Sequence, residues 1–120
     1  MEDKRIKSFR DLRVWLLGVD IVEKVYILTK KFPKDETFGL SSQIRRSAVS
    51  IPSNIAEGRS RGSKKEFCQF LFIALGSSSE LETQLIITNK LYSFLEIDEV
   101  IRMIQEEQKM ISSLIPKLKS

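Results

Sequence analysis

The residues best suited to chemistry are basic, and they cluster. Between positions 45 and 65 stand Arg45, Arg46, Arg59, Arg61, Lys64 and Lys65, against the single carboxylate Glu57. Guanidinium and ammonium groups at that density attract polyanions, phosphate above all. The alternative is a solvated helix end and loop. Catalysis has little to draw on. The chain has no His and one Cys, Cys68, which removes Ser-His-Asp and Cys-His pairs, His-ligated metals, disulfides and CxxC sites together. The carboxylates Glu57, Glu80 and Glu82 form no recognisable two-metal nuclease cluster. No catalytic residue, metal site or cofactor is expected, and the chain reads as a non-enzyme.

The charge is unevenly spread. The 120 residues carry +4 overall, but residues 1–65 carry +7 and residues 66–120 carry −3. Inside the basic stretch, Gly58-Arg59-Ser60-Arg61-Gly62 has the composition of a loop. Its glycines beside Lys64 imitate a phosphate loop, yet the spacing is not GxxxxGK[ST] and a helical pattern precedes it where a strand should stand. That reading is discarded. Ser63-Lys64-Lys65-Glu66 is a capping box that starts a helix, the Ser side chain taking the N3 amide and Glu66 returning to the cap amide.

Four amphipathic segments must position these residues. From Ser8, an N-cap, to the breaker Phe32-Pro33, Leu12, Trp15, Leu16, Val19, Val22 and Tyr26 recur at helical spacing. A second apolar stripe, Val14, Ile21, Val25 and Leu28, runs beside them. The next segment, Glu36 to about Gly58, sets Leu40, Ile44, Ala48, Ile51 and Ile55 on one side. An interior Pro costs ~3 kcal/mol or more in a straight helix, so at Pro52 the helix either kinks or breaks and recaps at Asn54. The apolar side keeps its phase across Pro52, which favours one helix kinked there. The third helix, Ser63 to about Lys90, turns Phe67, Phe70, Leu71, Ala74, Ser78, Leu81 and Leu85 to the core. It carries surplus apolar residues in Phe72, Ile73, Ile86 and Ile87, and small ones in Gly76-Ser77-Ser78-Ser79. The last segment places Ile97, Ile101, Ile104, Gln108, Ile111, Ile115 and Leu118 at alternating four and three spacing, a coiled-coil-like seam with Gln108 its polar member.

With 5 Gly and 3 Pro, turns are few. The pattern predicts an all-α, antiparallel up-down-up-down four-helix bundle, one domain over 1–120 with 1–8 as a flexible N-terminus. No unbroken apolar run approaches the ~18 residues of a membrane span, so a cytoplasmic protein without membrane contact is expected, Cys68 a reduced thiol among Phe67, Phe70 and Leu71. The surplus stripes of the first and third helices exceed what one bundle buries, which predicts self-assembly. Arg46, Asn54 and Glu57 face Glu80 and Gln84 at one-turn intervals. They predict a structural polar seam with Arg46 paired to Glu57 or Glu80.

The run Gln43 to Gly58, QIRRSAVSIPSNIAEG, is followed by Glu66-Phe67, Gly76-Ser77, Glu80-Leu81-Glu82 and Gln84-Leu85. With Phe9-Arg10-Asp11-Leu12-Arg13-Val14-Trp15 and Phe32-Pro33, it closely resembles the four-helix-bundle proteins encoded in intervening sequences of bacterial 23S rRNA genes. That family often carries a ribosomal-protein label, and its relatives include the accessory variability proteins of diversity-generating retroelements. The resemblance covers Phe9 to Leu118. Ser47 stands where Ala is usual and Phe38 where Tyr is usual, and Leu91-Tyr92-Ser93-Phe94 lacks the Gly often found before the fourth helix. The resemblance implies a kinked second helix, a homopentamer and structured RNA as partner.

Two functions are weighed. An RNA-binding oligomer would use Arg45, Arg59, Arg61, Lys64 and Lys65 as phosphate contacts, which position RNA without specifying its sequence. Base stacking is not expected, because Phe67, Phe70 and Trp15 sit on core stripes. Alternatively, a protein-interaction scaffold would hold an acidic partner or a nucleic-acid enzyme on the same surface.

Overall fold

The apolar spacing resolves into four helices: α1 (Arg13–Thr29), α2 (Leu40–Ser60), α3 (Lys64–Leu91) and α4 (Asp98–Lys119). They come from a computed structural model that describes residues 8–119. The flexible start expected for 1–8 lies, Ser8 apart, outside the described residues. Each helix packs on the next and α4 closes on α1, whereas the diagonal pairs α1/α3 and α2/α4 do not touch comparably.

Residue numbers run oppositely across every contact. On α2, Gly58 meets Phe67 and Phe70 of α3 while Ser50 meets Ser77. Likewise Gly18 and Thr29 of α1 meet Pro52 and Arg45. Phe72 and Glu82 of α3 meet Lys119 and Gln108, and Gly18 and Lys24 meet Glu107 and Glu99 of α4. Neighbours are antiparallel throughout, and the bundle measures 48 × 21 × 21 Å.

Helix ends differ from the sequence reading for local reasons. Ser8 is a cap, with a full capping box to Asp11, but what it caps is a 3-10 turn, Phe9–Asp11. Leu12 is then extended, so α1 starts at Arg13. A second 3-10 turn, Lys34–Glu36, holds the start expected for α2, and the Glu36 carboxylate accepts from the Leu40 amide (3.4 Å) where α2 begins. From there α2 continues through Pro52 to Ser60 without a recapped break. Asn54 is no cap. Its side-chain amide donates instead to the Ser50 carbonyl (2.8 Å) and hydroxyl (2.9 Å). The turn after α3 manages without Gly because Asn89 donates to the Leu95 carbonyl (2.9 Å) and the Tyr92 hydroxyl donates to Glu36 (2.6 Å).

The core joins the predicted stripes of α2, α3 and α4, but on α1 it takes the second stripe, Val14, Ile21, Val25 and Leu28, instead of Leu12 to Tyr26. Ile21, Ile44, Ile51, Ile55, Leu71, Leu81, Leu85, Ile104 and Ile111 are fully buried. Buried hydroxyls are satisfied within their own helices, Ser78 by the Leu75 carbonyl and Thr88 by that of Gln84. Outside the core, the surplus apolar residues remain uncovered. Leu16, Val19, Tyr26 and Ile27 are exposed on α1, and Phe72, Ile73, Ile86 and Ile87 on α3. Apolar on both sides, α3 also reaches the length and composition of a membrane span, with a mean hydropathy of 1.2 over 18 residues. Unbroken runs had not suggested this.

Gly58 sets how closely α2 and α3 approach. A methyl there would stand 2.5 Å from Phe70 Cβ, and the backbone of one helix must move to admit it. Gly58→Ala is expected to lower unfolding free energy by ~1–3 kcal/mol despite the better helix propensity of Ala. Urea denaturation of both proteins measures it, and equal midpoints would show that the contact is loose.

Candidate nucleic-acid interface

Antiparallel order gathers the starts of α1 and α3 and the ends of α2 and α4 at one end of the bundle. Three residues, Arg61 to Ser63, connect α2 to α3. Gly62 makes the reversal with φ of +90°, a backbone state that side chains disfavour. Ser63 then caps α3. Its hydroxyl accepts from the Glu66 amide (3.1 Å), as expected, but Glu66 returns to that hydroxyl (3.2 Å) rather than to the cap amide.

The five basic residues expected to contact phosphate do not form one patch. Arg45 lies about 21 Å along α2 from Arg59, at ~1.5 Å per residue. It is also occupied: its Nε donates to Thr29 Oγ1 (2.8 Å) and its guanidinium lies 4.4 Å from the Tyr26 ring centroid, so it ties α2 to α1. Arg61 is neutralised locally by Glu57 at 2.7 Å and Glu66 at 3.9 Å, and it covers the Phe70 ring. Three of the five remain together, Arg59 half-buried and Lys64 and Lys65 exposed. Among the described residues none of the three has an ion pair.

The structure adds a fourth cation that sequence reading missed. Lys119, at the end of α4, lies over the Phe72 ring at 5.3 Å and shares a cleft with Lys64, Lys65, Cys68 and Leu118. Its signal was the α4 seam itself, since an antiparallel partner must bring the last turn of α4 beside the first turn of α3.

The polar seam also divides. Glu57 stands about 16 Å along α2 from Arg46, out of its reach, and is held by Arg61. Arg46 is exposed and makes no ion pair among the described residues. It lines an open groove with Gln43, Ser47, Ser50, Glu80 and Gln84, in which the Gln84 Oε1 is buried without a donor. The expected ion pair is thus replaced by a hydroxyl contact, Ser50 to Ser77 at 2.8 Å. The remaining carboxylate, Glu82, accepts from Gln108 (3.0 Å) and Gln105 (3.4 Å) on α4. Glu57, Glu80 and Glu82 therefore face three different directions. No group of three metal-ligating side chains occurs among the described residues.

A family model described as 23S rRNA-intervening sequence protein matches residues 10–113. The chain belongs to this family. No curated protein matches it. The description of the 23S rRNA-intervening sequence family is compatible with a non-enzymatic role, and this member has an all-α architecture of four helices.

The most unusual ionisable group in this family member lies away from the basic end. Glu107 of α4 is fully buried, and neither carboxyl oxygen has a hydrogen-bond partner. Sequence reading named Gln108 as the seam's polar residue and passed over Glu107, three residues after Ile104 and four before Ile111 on the same face. Gly18 makes room for it: a methyl at Gly18 would stand 3.1 Å from Oε2 and 3.4 Å from Pro52 Cβ. Burial pushes the Glu107 carboxyl up to about 8 from 4.5, so the folded protein holds it protonated near neutrality. Below pH 4.5 both folded and unfolded chains carry this proton. Between 4.5 and 8 only the unfolded chain releases it, so stability falls by ~1.4 kcal/mol per pH unit and levels off above 8. Glu107→Gln is expected to flatten this slope and to melt higher than the parent at pH 8 while matching it near pH 4.5. Parallel melting curves across that range would show that Glu107 does not titrate as its burial demands.

Proposed function

We propose that the chain is a non-enzymatic, cytoplasmic protein that assembles into a homo-oligomeric ring, a pentamer by family resemblance, and binds structured RNA at its basic end. One observation carries the RNA reading: Arg59, Lys64, Lys65 and Lys119 converge on one end with no carboxylate paired to any of them among the described residues. The starting turn of α3 lies among them, and its dipole favours the same negative charge. The family's rRNA-linked description supports RNA over other polyanions.

Assembly rests on how the outer faces divide. Those of α2 and α4 are largely polar, with Arg46, Ser53 and Glu57 on one and Arg102, Glu106 and Lys117 on the other. Those of α1 and α3 expose apolar side chains, Leu16, Val19, Tyr26 and Ile27 on one and Ile73, Ile86 and Ile87 on the other, and lie on diagonal helices. Joining α1 of one copy to α3 of the next is a head-to-tail contact, which closes into a ring when its rotation divides the circle. Gly76 sits midway along the α3 face, where an added methyl meets nothing within 4 Å. It lets a neighbouring backbone come close. A ring also repeats the basic end, so a weak site gains avidity from one RNA spanning several copies.

Reversing Arg59, Lys64, Lys65 and Lys119 to Glu is expected to abolish structured-RNA binding in fluorescence anisotropy, with helicity and assembly unchanged. Arg45→Glu should leave binding largely intact. Equal affinities of the fourfold variant and parent, with capture of an acidic protein instead, would favour the scaffold reading. For assembly, sedimentation equilibrium at micromolar protein should show a species several times 13.9 kDa, and Gly76→Leu should dissociate it. A parent that sediments only as a monomer would end the ring.

A further inference from the structure

We propose that the cleft between the first turns of α3 and the last turn of α4 holds one unpaired nucleotide of a bound RNA. The base stacks on the Phe72 ring and the adjoining phosphate lies among Lys64, Lys65 and Lys119. This deepens the RNA reading above and rests on it.

The cleft has about 480 Å³, within the range of small-ligand sites. Its apolar lining is Cys68, Phe72 and Leu118, its charged lining is the three lysines, and no carboxylate among the described residues contributes. Gln69 adds an amide able to meet the edge of a base. Phe72 is 49% exposed, although an aromatic ring of that size normally finds cover in a bundle. What lies over its face is the Lys119 ammonium, 5.3 Å from the ring centroid. The cation over the ring marks a π-face that another protein ring does not cover, the surface on which a base stacks once Lys119 moves aside. Lys119 is on a long, flexible stem and can swing from the ring to a phosphate as the base enters.

The charge pattern selects the occupant. A flat apolar surface bordered by three cations suits a flat, apolar-faced ring that carries an anion on a short link. A nucleotide has that form, and stacking on one aromatic ring tolerates any base. A continuous duplex cannot use the site, because its bases are stacked on one another and only its phosphates reach out. A base on Phe72 would run against the expectation that stacking is absent. The core stripes do account for Phe67 and Phe70, but Phe72 lies off them.

The test compares an RNA hairpin bearing a loop of unpaired uridines with a fully paired duplex of the same stem, using anisotropy with the full chain. Phe72→Leu keeps an apolar side chain and removes the ring. It is expected to weaken hairpin binding by about 5- to 150-fold and to leave duplex binding unchanged, while Phe72→Trp should restore hairpin binding. Sedimentation of each variant must match the parent, which separates stacking from a role in assembly. Hairpin affinity unchanged in Phe72→Leu would overturn the nucleotide site and leave electrostatic RNA binding standing. Loss of hairpin and duplex binding alike in Phe72→Leu, or failure of Phe72→Trp to restore hairpin binding, would also overturn it. A parent that binds neither RNA would remove both readings.

Discussion

The close approach of α2 to α3 at Gly58 is the constraint on which the basic end depends. With a methyl's width removed, Phe67 and Phe70 reach the α2 backbone, and the chain can reverse within three residues. That short reversal places Arg59 at the end of one helix beside Lys64 and Lys65 at the start of the next. A wider crossing would need a longer loop and would disperse the same charges. Gly62 and the Ser63 cap complete the turn, and Arg61 is used up within it, braced by Glu57, Glu66 and the Phe70 ring. The basic residue that looks most available by position is thus the one that holds the turn in shape.

The second organising feature is that two helices are apolar on two sides. In a square bundle each helix needs one apolar stripe, and α2 and α4 follow that rule. Both α1 and α3 exceed it, and the excess falls on diagonally opposite corners. The same excess gives α3 the composition of a membrane span. Exposed apolar faces of this extent in a monomer invite association, and placing them on different helices makes the contact directional. Glu107 shows a different economy. Held neutral beside Gly18, it leaves two carboxyl oxygens unsatisfied in the core, and it makes stability depend on pH.

Much of the fold was legible because helical periodicity is a local property. The core stripes from Leu40 to Ile55 and Phe67 to Leu85 carried over nearly residue for residue, and the α4 seam did so except at Glu107. On α1 the two stripes changed places: the second, Val14 to Leu28, is the core, and Leu16, Val19 and Tyr26 of the first face outward. Boundaries were less legible, since Ser8 caps a 3-10 turn as readily as an α-helix and Leu12 gave no sign of its extended backbone. The candidate site was read only in part. Spacing correctly joined Arg59, Lys64 and Lys65, which are local neighbours, but added Arg45 from another turn region, where Thr29 and Tyr26 hold it. Arg46 failed for a related reason: helix phase put it on the side of Glu57 but about 16 Å away along α2, three turns out of reach, while Arg61, one turn from Glu57, pairs with it. Lys119 and Phe72 were missed because they meet only across the α3–α4 packing, which one-dimensional spacing does not contain.

The proposed function requires that free cations at one end of the bundle hold RNA phosphates. Its most direct measurement is the affinity of the full chain for a structured RNA over a series of salt concentrations. Neutralising about three to five phosphates predicts that log affinity falls linearly against log salt with a slope of roughly −2 to −4. An affinity that does not change with salt would contradict the account.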